Sequence, residues 1–508
     1  MPEDDAFPVE TLQTRFLEIW RAQPGHEAVV DDAFRLTLDE LMRYALALSK
    51  VLEQRAKSPV GHVGLLMPNC APMVTGIFGI LLAGKTIVPL NFLLPPPDLL
   101  FCIQDAEIDL LLSLSALREK LEPLKAASGG KIEIIYLDEL LQQPGVAEAV
   151  AGTNPETQIL ALDADAEKTA ALVYTSGTTG RPKGVMLSHK NLLSNISSCA
   201  ELMRVTADDR FLSVLPLFHS FAILATTLLP VLKGATVILL KRFTVGSALK
   251  AIADERISVL MLTPSMWQLL SRAKEFASTP KDKLRLCISG GGPISAKSEA
   301  EISRLLGLPL LNGYGQTEAS PVISVNVPWK LRAGSIGAAL PGVEVRTVDD
   351  DGKSLGIGET GEIQARGDNV MKGYFKRPDE TKKAITTDGW LCTGDFGYVD
   401  KDGFVFITGR KKELIIVGGE NVHPREIEEV LDEHPAIAES AVIGIPDELR
   451  GEVPKAYYVL KEGYEVAPKE LREFLLKHIP AFKVPREFER MDLLPKNALG
   501  KVLKHQLR

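Results

Sequence analysis

At 508 residues the chain is too long for one hydrophobic core, so two or more domains are expected. Charged residues at 24% and hydrophobic residues at 45% are ordinary for a soluble globular protein, and a net charge of −8 without a lysine or arginine block argues against a nucleic-acid partner. Five cysteines (Cys70, Cys102, Cys199, Cys287 and Cys392), odd in number and with no CxxC pair, argue against a disulfide framework and a zinc site.

The first residues, Met-Pro-Glu-Asp-Asp, are acidic where a secretion signal is basic and then apolar, which leads to the expectation of a cytoplasmic protein. The most apolar region, residues 74–94, is broken by Lys85, glycines and prolines and falls short of the ~20 residues a membrane span needs. Within it Gly79-Ile-Leu-Leu-Ala-Gly84-Lys85-Thr86 satisfies the Walker A spelling. A phosphate loop of that kind follows a strand and opens a helix. Here Ala71, Met73, Val74, Ile77, Phe78, Leu81 and Leu82 recur at helical spacing, so Gly84 reads as a helix C-cap and Lys85 as a last-turn cation.

From about residue 170 to 315, short apolar runs alternate with helical periodicities, the pattern of an α/β layer with a mostly parallel sheet. Strands are expected at 170–175, 211–215, 235–240, 258–262, 284–289 and 308–311. Between them, Leu192, Leu193, Ile196, Ala200 and Met203 share one helix face behind a Ser188 cap. After Ile336, hairpins such as Asp350-Asp351-Gly352 and Lys401-Asp402-Gly403 predict a β subdomain. Beyond Arg410 come a helix over 424–434, strands near 441–445 and 456–460, and a helix over 469–478, enough for a separate α+β domain. The fold class is therefore α/β, with a large N-terminal domain over 1–409 and a small C-terminal domain over 410–508.

Three stretches ask for an anion. Tyr174-Thr-Ser-Gly-Thr-Thr-Gly-Arg-Pro-Lys-Gly184 combines four hydroxyl residues with three glycines, so little side-chain bulk keeps its backbone N–H groups from phosphate. Ser289-Gly-Gly-Gly-Pro293 and Asn312-Gly-Tyr-Gly-Gln-Thr-Glu318 each end an expected strand. Ligand crevices of α/β sheets lie beyond the carboxyl ends of strands, so loops near 175, 290 and 313 are expected to converge there.

With these stretches the chain resembles the adenylate-forming enzymes: acyl-CoA synthetases, firefly-type luciferases and the adenylation domains of peptide synthetases. The resemblance covers nearly the whole chain. It rests on residues 174–184, on Gly313-Tyr-Gly-Gln-Thr-Glu318, on Thr393-Gly-Asp395, on Gly409-Arg-Lys-Lys412 with Gly418-Gly-Glu-Asn421, and on Pro495-Lys-Asn-Ala-Leu-Gly-Lys501, in the family's order.

The resemblance implies roles residue by residue. Thr175, Ser176, Gly177, Thr178, Thr179, Gly180 and Lys183 hold the β and γ phosphates of ATP. Glu318 helps bind Mg²⁺, with Thr175 as a second contact. Tyr314 stacks on adenine beside Gly291, Gly292 and Pro293; Asn312, Gly313 and Gly315 complete that wall. Thr317 contacts the α-phosphate, Asp395 accepts from the ribose hydroxyls, and Arg410 joins the nucleotide contacts. Lys501 bridges the carboxylate and the α-phosphate during adenylation. Lys412 is the hinge of a mobile small domain, whose rotation brings Gly418, Gly419 and Glu420 to the acyl-adenylate as part of a thiol channel. His219, in Leu215-Pro-Leu-Phe-His-Ser220, matches the family's acyl-pocket histidine. Amino-acid-activating relatives usually place an aspartate in that segment, so an acid without an amino group is expected.

The implied reaction is ATP- and Mg²⁺-dependent acid–thiol ligation with coenzyme A, on a medium- or long-chain fatty acid. Phe221, Ile223, Leu224, Leu228, Leu229 and the helix from Pro264 fit either a tunnel lining or a packed core. Acyl carrier protein as acceptor, an aryl acid as substrate and transient contact with a membrane surface stay open. Two other classes compete. A P-loop ATPase built on Lys85 would release ADP and phosphate. A binding module without chemistry would have a damaged loop or lysine, whereas Lys183, Glu318, Asp395, Arg410 and Lys501 are all present.

Overall fold

The computed structural model describes residues 9–140, 143, 150, 152–156, 165–175, 181–496 and 500–507. Among them the strands form four sheets. A large N-terminal domain carries sheets of seven, nine and four strands, and a smaller C-terminal domain carries the fourth.

The six strands expected between 170 and 315 all exist, but they divide between two sheets rather than forming one. Thr169–Thr175 lies in the seven-stranded sheet, parallel to Thr86–Pro89 and antiparallel to Lys183–Ser188. Arg210–Ser213, Thr236–Leu239, Val259–Leu262, Leu286–Ser289 and Leu310–Gly315 belong to the nine-stranded sheet. Apolar runs identify strands buried on both faces but not their partners, and here a single core joins residues of both sheets.

Helix Ala71–Leu82 lies in that core with every residue but Pro72 buried, which accounts for its nearly continuous apolar sequence. Ala83 is its C-cap and Gly84, at φ +64°, follows in the left-handed conformation, with Gly84 N donating to Leu81 O (2.8 Å) and Lys85 N to Ile80 O (3.0 Å). A helix thus precedes strand Thr86–Pro89, the reverse of a phosphate loop. Gly79 is a packing glycine: a Cβ there would lie 2.8 Å from a Leu48 methyl.

Helix His189–Met203 begins with Ser188 and Asn191 in a reciprocal capping box. The strand expected at 308–311 runs instead from Leu310 to Gly315, because Gly313, Tyr314 and Gly315 pair antiparallel with Val322–Val325. The third glycine-rich segment is therefore a strand, not a loop. The β subdomain is the four-stranded antiparallel sheet Glu344–Val348, Gly361–Arg366, Leu391–Val399 and Val405–Arg410.

In the small domain, strands Ile437–Asp447 and Gly451–Leu460 are longer than their apolar centres suggested. Helices Pro424–Glu433 and Pro468–Leu476 cover the sheet through Ile427, Leu431, Leu471 and Leu475. Among the described residues no helix is long and apolar enough to cross a membrane.

Candidate active site

The hydroxyl-rich stretch starts and ends on two antiparallel strands, Thr169–Thr175 and Lys183–Ser188. Thr175 and Lys183 are paired across its two strands, while Ser176, Gly177, Thr178, Thr179 and Gly180 lie outside the described residues. Lys183 is ion-paired with Glu380, and its Nζ stands 5.3 Å from the centre of the Tyr374 ring. The Tyr374 hydroxyl donates to Glu318 Oε1 at 2.8 Å. Burial and then the Glu318 carboxylate hold the Tyr374 phenol well above its ordinary range, so it stays a donor. Burial, and then Lys412, push Lys183 below the usual lysine value, against the pull of Glu318.

Two glycine features shape the adjoining wall. Gly290 lies flush against Phe221, where a Cβ would be 3.0 Å from the ring, and Gly291 takes φ +82°. Gly291, Gly292 and Pro293 are exposed, as a face for a planar ligand requires. Asn312 Nδ2 donates to Glu299 at 2.6 Å. At Gly315 a Cβ would collide with the Pro321 carbonyl oxygen, so the close backbone pairing itself demands glycine there.

Tyr314 of the nine-stranded sheet meets Asp395 of the four-stranded sheet. The Tyr314 hydroxyl donates to Asp395 Oδ2 at 2.7 Å, and Arg410 Nε stands 3.0 Å from Asp395 Oδ1. Asp395 and Arg410 are also ladder partners. Asp395 is only 6% exposed, and a buried carboxylate needs such partners. Burial and then Asp395 keep the Tyr314 phenol protonated.

Thr317 Oγ1 is 2.8 Å from Ser220 Oγ, which ties the segment of Glu318 to that of His219. The His219 ring centre is 4.6 Å from that of Phe218, and Phe218 meets Phe92 edge-on at 5.6 Å. His219 Nε2 is buried with no hydrogen-bond partner among the described residues, and burial pushes the ring down to about 4, so it is neutral near pH 7. Ile223, Leu224, Leu228 and Leu229 are at most 3% exposed and pack in the core in this conformation.

Lys501 arrives from the other end of the chain. Its ammonium is close enough to Arg410, Glu413, Asp395 and Lys504 to feel each charge, and burial first, then Arg410, push it down to about 8. Gly500, at φ +79°, lies against Ser265 at the start of helix Pro264–Arg272, and Pro264 is what a Cβ on Gly292 would meet, at 3.8 Å. Lys501, Asp395, Arg410 and Tyr314 thus converge beside the glycine turn. Lys412 is exposed in the turn Lys411–Glu413.

Gly418, Gly419 and Glu420 are not brought to this group. They are the exposed tip of a hairpin whose strands, Ile415–Val417 and Glu420–Val422, pair within the small domain's sheet. Tyr374, Glu380 and Ser220 belong to the site without having been singled out in the sequence. Tyr374 is there because the two-residue strand Gly373–Tyr374 pairs with the Lys183 strand, and nothing local signals that pairing. Among the described residues no cluster of three or more His, Cys, Asp or Glu could hold a metal.

Comparison with known proteins places the chain in a family. A family profile described as AMP-binding enzyme matches residues 16–375, and one described as AMP-binding enzyme C-terminal domain matches residues 426–501. The chain is 32% identical to a long-chain-fatty-acid–CoA ligase of Bacillus subtilis (strain 168), covering 100% of this chain and 96% of that one. It is 35% identical to a feruloyl-CoA synthase of an Amycolatopsis species, covering 96% of each. The crystal structure of ATP-bound MatB from Rhodopseudomonas palustris is 32% identical, covers 98% of each chain and superposes with a TM-score of 0.89; for the apo form of MatB the score is 0.80. The chain belongs to the AMP-binding enzyme family, the adenylate-forming enzymes.

Proposed function

We propose that the protein is an acyl-CoA synthetase. A carboxylate oxygen attacks the α-phosphorus of MgATP and pyrophosphate leaves; the thiol of coenzyme A then attacks the acyl carbon and AMP leaves. The reaction class is ATP-dependent, AMP-forming acid–thiol ligation. The observation that carries the reading is the meeting of Tyr314 and Arg410 on Asp395, with Lys501 close enough to feel the Asp395 and Arg410 charges, four residues from four distant motifs.

The first step needs no general base, since a carboxylate is already ionised at neutral pH. Its difficulty is the approach of one anion to another, which fixed cations and N–H groups offset. Lys183 and residues 175–180 take the β and γ phosphates, and Arg410 and Lys501 take the α-phosphate and carboxylate. Thr317, held by Ser220, completes the α-phosphate contacts. Asp395 accepts from the ribose, and Tyr314 lies against adenine with Gly291, Gly292 and Pro293. Glu318, with Thr175, suits a Mg²⁺ that arrives on the triphosphate, because Mg²⁺ in such sites takes one or two carboxylates and draws its other ligands from phosphate and water. Lys412 serves as the hinge, and rotation carries the Gly418–Gly419–Glu420 tip to the acyl-adenylate. The higher score against ATP-bound than apo MatB supports an arrangement suited to the first step.

The acid is a medium- or long-chain fatty acid. A neutral His219 among Phe218 and Phe92 suits an uncharged acyl chain, and the His219 segment itself supplies no carboxylate for an α-ammonium. The long-chain ligase relative points the same way. An aryl acid is the second reading, favoured by those aromatic faces and by the feruloyl-CoA synthase relative. Acyl carrier protein is the alternative acceptor, and the location is cytoplasmic. Pyrophosphate exchange across straight-chain and aromatic acids tests the assignment. Faster exchange with straight-chain acids is expected; the opposite order would reassign the substrate, and release of ADP and phosphate would overturn the class.

A further inference from the structure

The loop that carries Lys501 is closed at its base. Leu503 N donates to the Pro495 carbonyl at 2.8 Å, and Lys496 and Val502 form an antiparallel bridge. Below the base, Leu494 and Leu507 are buried with Ala441, Ile443 and Tyr457 of the small domain. Lys496 is ion-paired with Glu439 at 2.5 Å.

Lys504 differs from these anchors in what it joins. Its Nζ lies 2.7 Å from Glu413 Oε2 and 2.7 Å from Glu428 Oε1. Glu428 is on helix Pro424–Glu433 and also accepts from Val442 N at 2.7 Å. Glu413 is in the turn Lys411–Glu413, immediately after the strand that ends at Arg410. One ammonium, with its side chain 20% exposed, therefore links the junction, the helix and the turn that follows Lys501. Burial works against its charge, but the Glu428 and Glu413 carboxylates outweigh it and hold Lys504 above its ordinary value, so the clamp stays ionic.

We propose that Lys504 is a positioning residue for acyl-AMP formation: its bridge from Glu413 to Glu428 fixes the Lys501 loop to the junction turn. Loop and turn then move as one body with the small domain, and the swivel is confined to the backbone between Arg410 and Glu413. The inference rests on the reading of Lys501 as the adenylation lysine. A second consequence is electrostatic. Among the described residues, the charged groups that act on Lys501 include Arg410 from the β subdomain, Asp395 from the neighbouring strand, Glu413 from the junction and Lys504 from its own turn. Without Lys504, Glu413 is no longer neutralised and favours the Lys501 proton; without Glu413, Lys504 disfavours it.

The test uses the full chain and two assays, pyrophosphate exchange for the first step and thioester formation from supplied acyl-AMP for the second. Lys504→Met is expected to lower kcat of exchange by about ten- to a hundredfold, the usual consequence of a slightly misplaced catalytic group. KM for ATP and thioester formation should stay within about twofold, since only an interaction specific to the first transition state is weakened. Lys504→Arg should restore most of the loss. The alkaline limb of exchange should move to higher pH in Lys504→Met and to lower pH in Glu413→Gln. Equal loss in both steps, full exchange activity in Lys504→Met, or unmoved limbs would overturn the proposal. Should Lys504→Met fail to fold, Glu413→Gln decides alone, because its carboxylate is 32% exposed and its loss is milder. Lys501→Ala runs in parallel: exchange that survives it sinks the underlying reading, whereas exchange lost there but intact in Lys504→Met sinks this inference only.

Discussion

Lys501 works under two opposed demands. Shelter from water and the neighbouring Arg410 push its ammonium down to about 8, while the bridging of two anions proposed for it requires the charge. The charge is complete below that pH and fades above it. In the free enzyme, kcat/KM for acyl-AMP formation should therefore fall as pH rises through about 8, since that parameter reports the unliganded groups. Lys501→Arg, cationic throughout the accessible range, should remove the limb. A limb that persists belongs to another group. Lys501→Ala should lower acyl-AMP formation by about two to three orders of magnitude, the scale of one lost charge-stabilising contact. Thioester formation from supplied acyl-AMP should be largely spared, and equal loss in both steps would contradict the role. His219 shows the same physics without a partner. Its folded value near 4 lies below the unfolded 6.5, so as pH falls through that window the unfolded chain binds the proton first and stability drops. Urea unfolding across the window should show a shallower loss in His219→Gln; an unchanged slope would mean the ring is not buried neutral. His189, also pushed down to about 4 by burial, keeps part of the slope in that variant.

At the scale of elements, the Walker-like spelling shows how a motif is decided by its neighbours. Gly79 lets helix Ala71–Leu82 approach helix Leu38–Arg55, and Lys85 lays its stem over Gly61, 3.3 Å from where a Cβ there would stand. Gly79→Ala should cost about 1–3 kcal/mol of stability through overpacking. Lys85→Ala, a surface change, should stay within about 0.5 kcal/mol and leave pyrophosphate exchange intact. A folded Lys85→Ala chain that binds no nucleotide would move the phosphate site to that loop. The helical spacing made this legible in sequence, as did the six strands and the Ser188 cap, because each is a local pattern. Partition of those strands into two sheets was not legible, since Thr169–Thr175 and Arg210–Ser213 both have buried apolar centres and neither run carries a mark of its partner. Gly315 looked like a loop glycine for a related reason: what demands it is the Pro321 carbonyl of the next strand's approach, an atom six residues on. Tyr374 and Lys504 carry no local pattern at all; each acquires its place from pairing that only the folded chain creates.

At the scale of the whole molecule, the two domains meet at a point where no side chain fits. Gly500 presses on Ser265, and a Cβ on Gly500 would collide with the Ser265 hydroxyl. The approach of Lys501 to Asp395 and Arg410 thus depends on a bare α-carbon one residue earlier. Gly500→Ala should hold the tail off the large domain and lower acyl-AMP formation by about tenfold or more, through misplacement of the next residue. Thioester formation from supplied acyl-AMP should be spared if, as the proposed rotation about Lys412 requires, the tail is withdrawn in that step. Alanine at φ +79° also carries a backbone penalty of about 1 kcal/mol, which has nothing to do with the other domain. Ser265→Gly separates the two causes: it removes the colliding atoms and leaves the backbone strain in place. Recovery of acyl-AMP formation in the Gly500→Ala, Ser265→Gly double variant would locate the defect at the contact between domains. A double variant as slow as Gly500→Ala alone would assign the loss to local strain and remove this contact from the account of how the domains close.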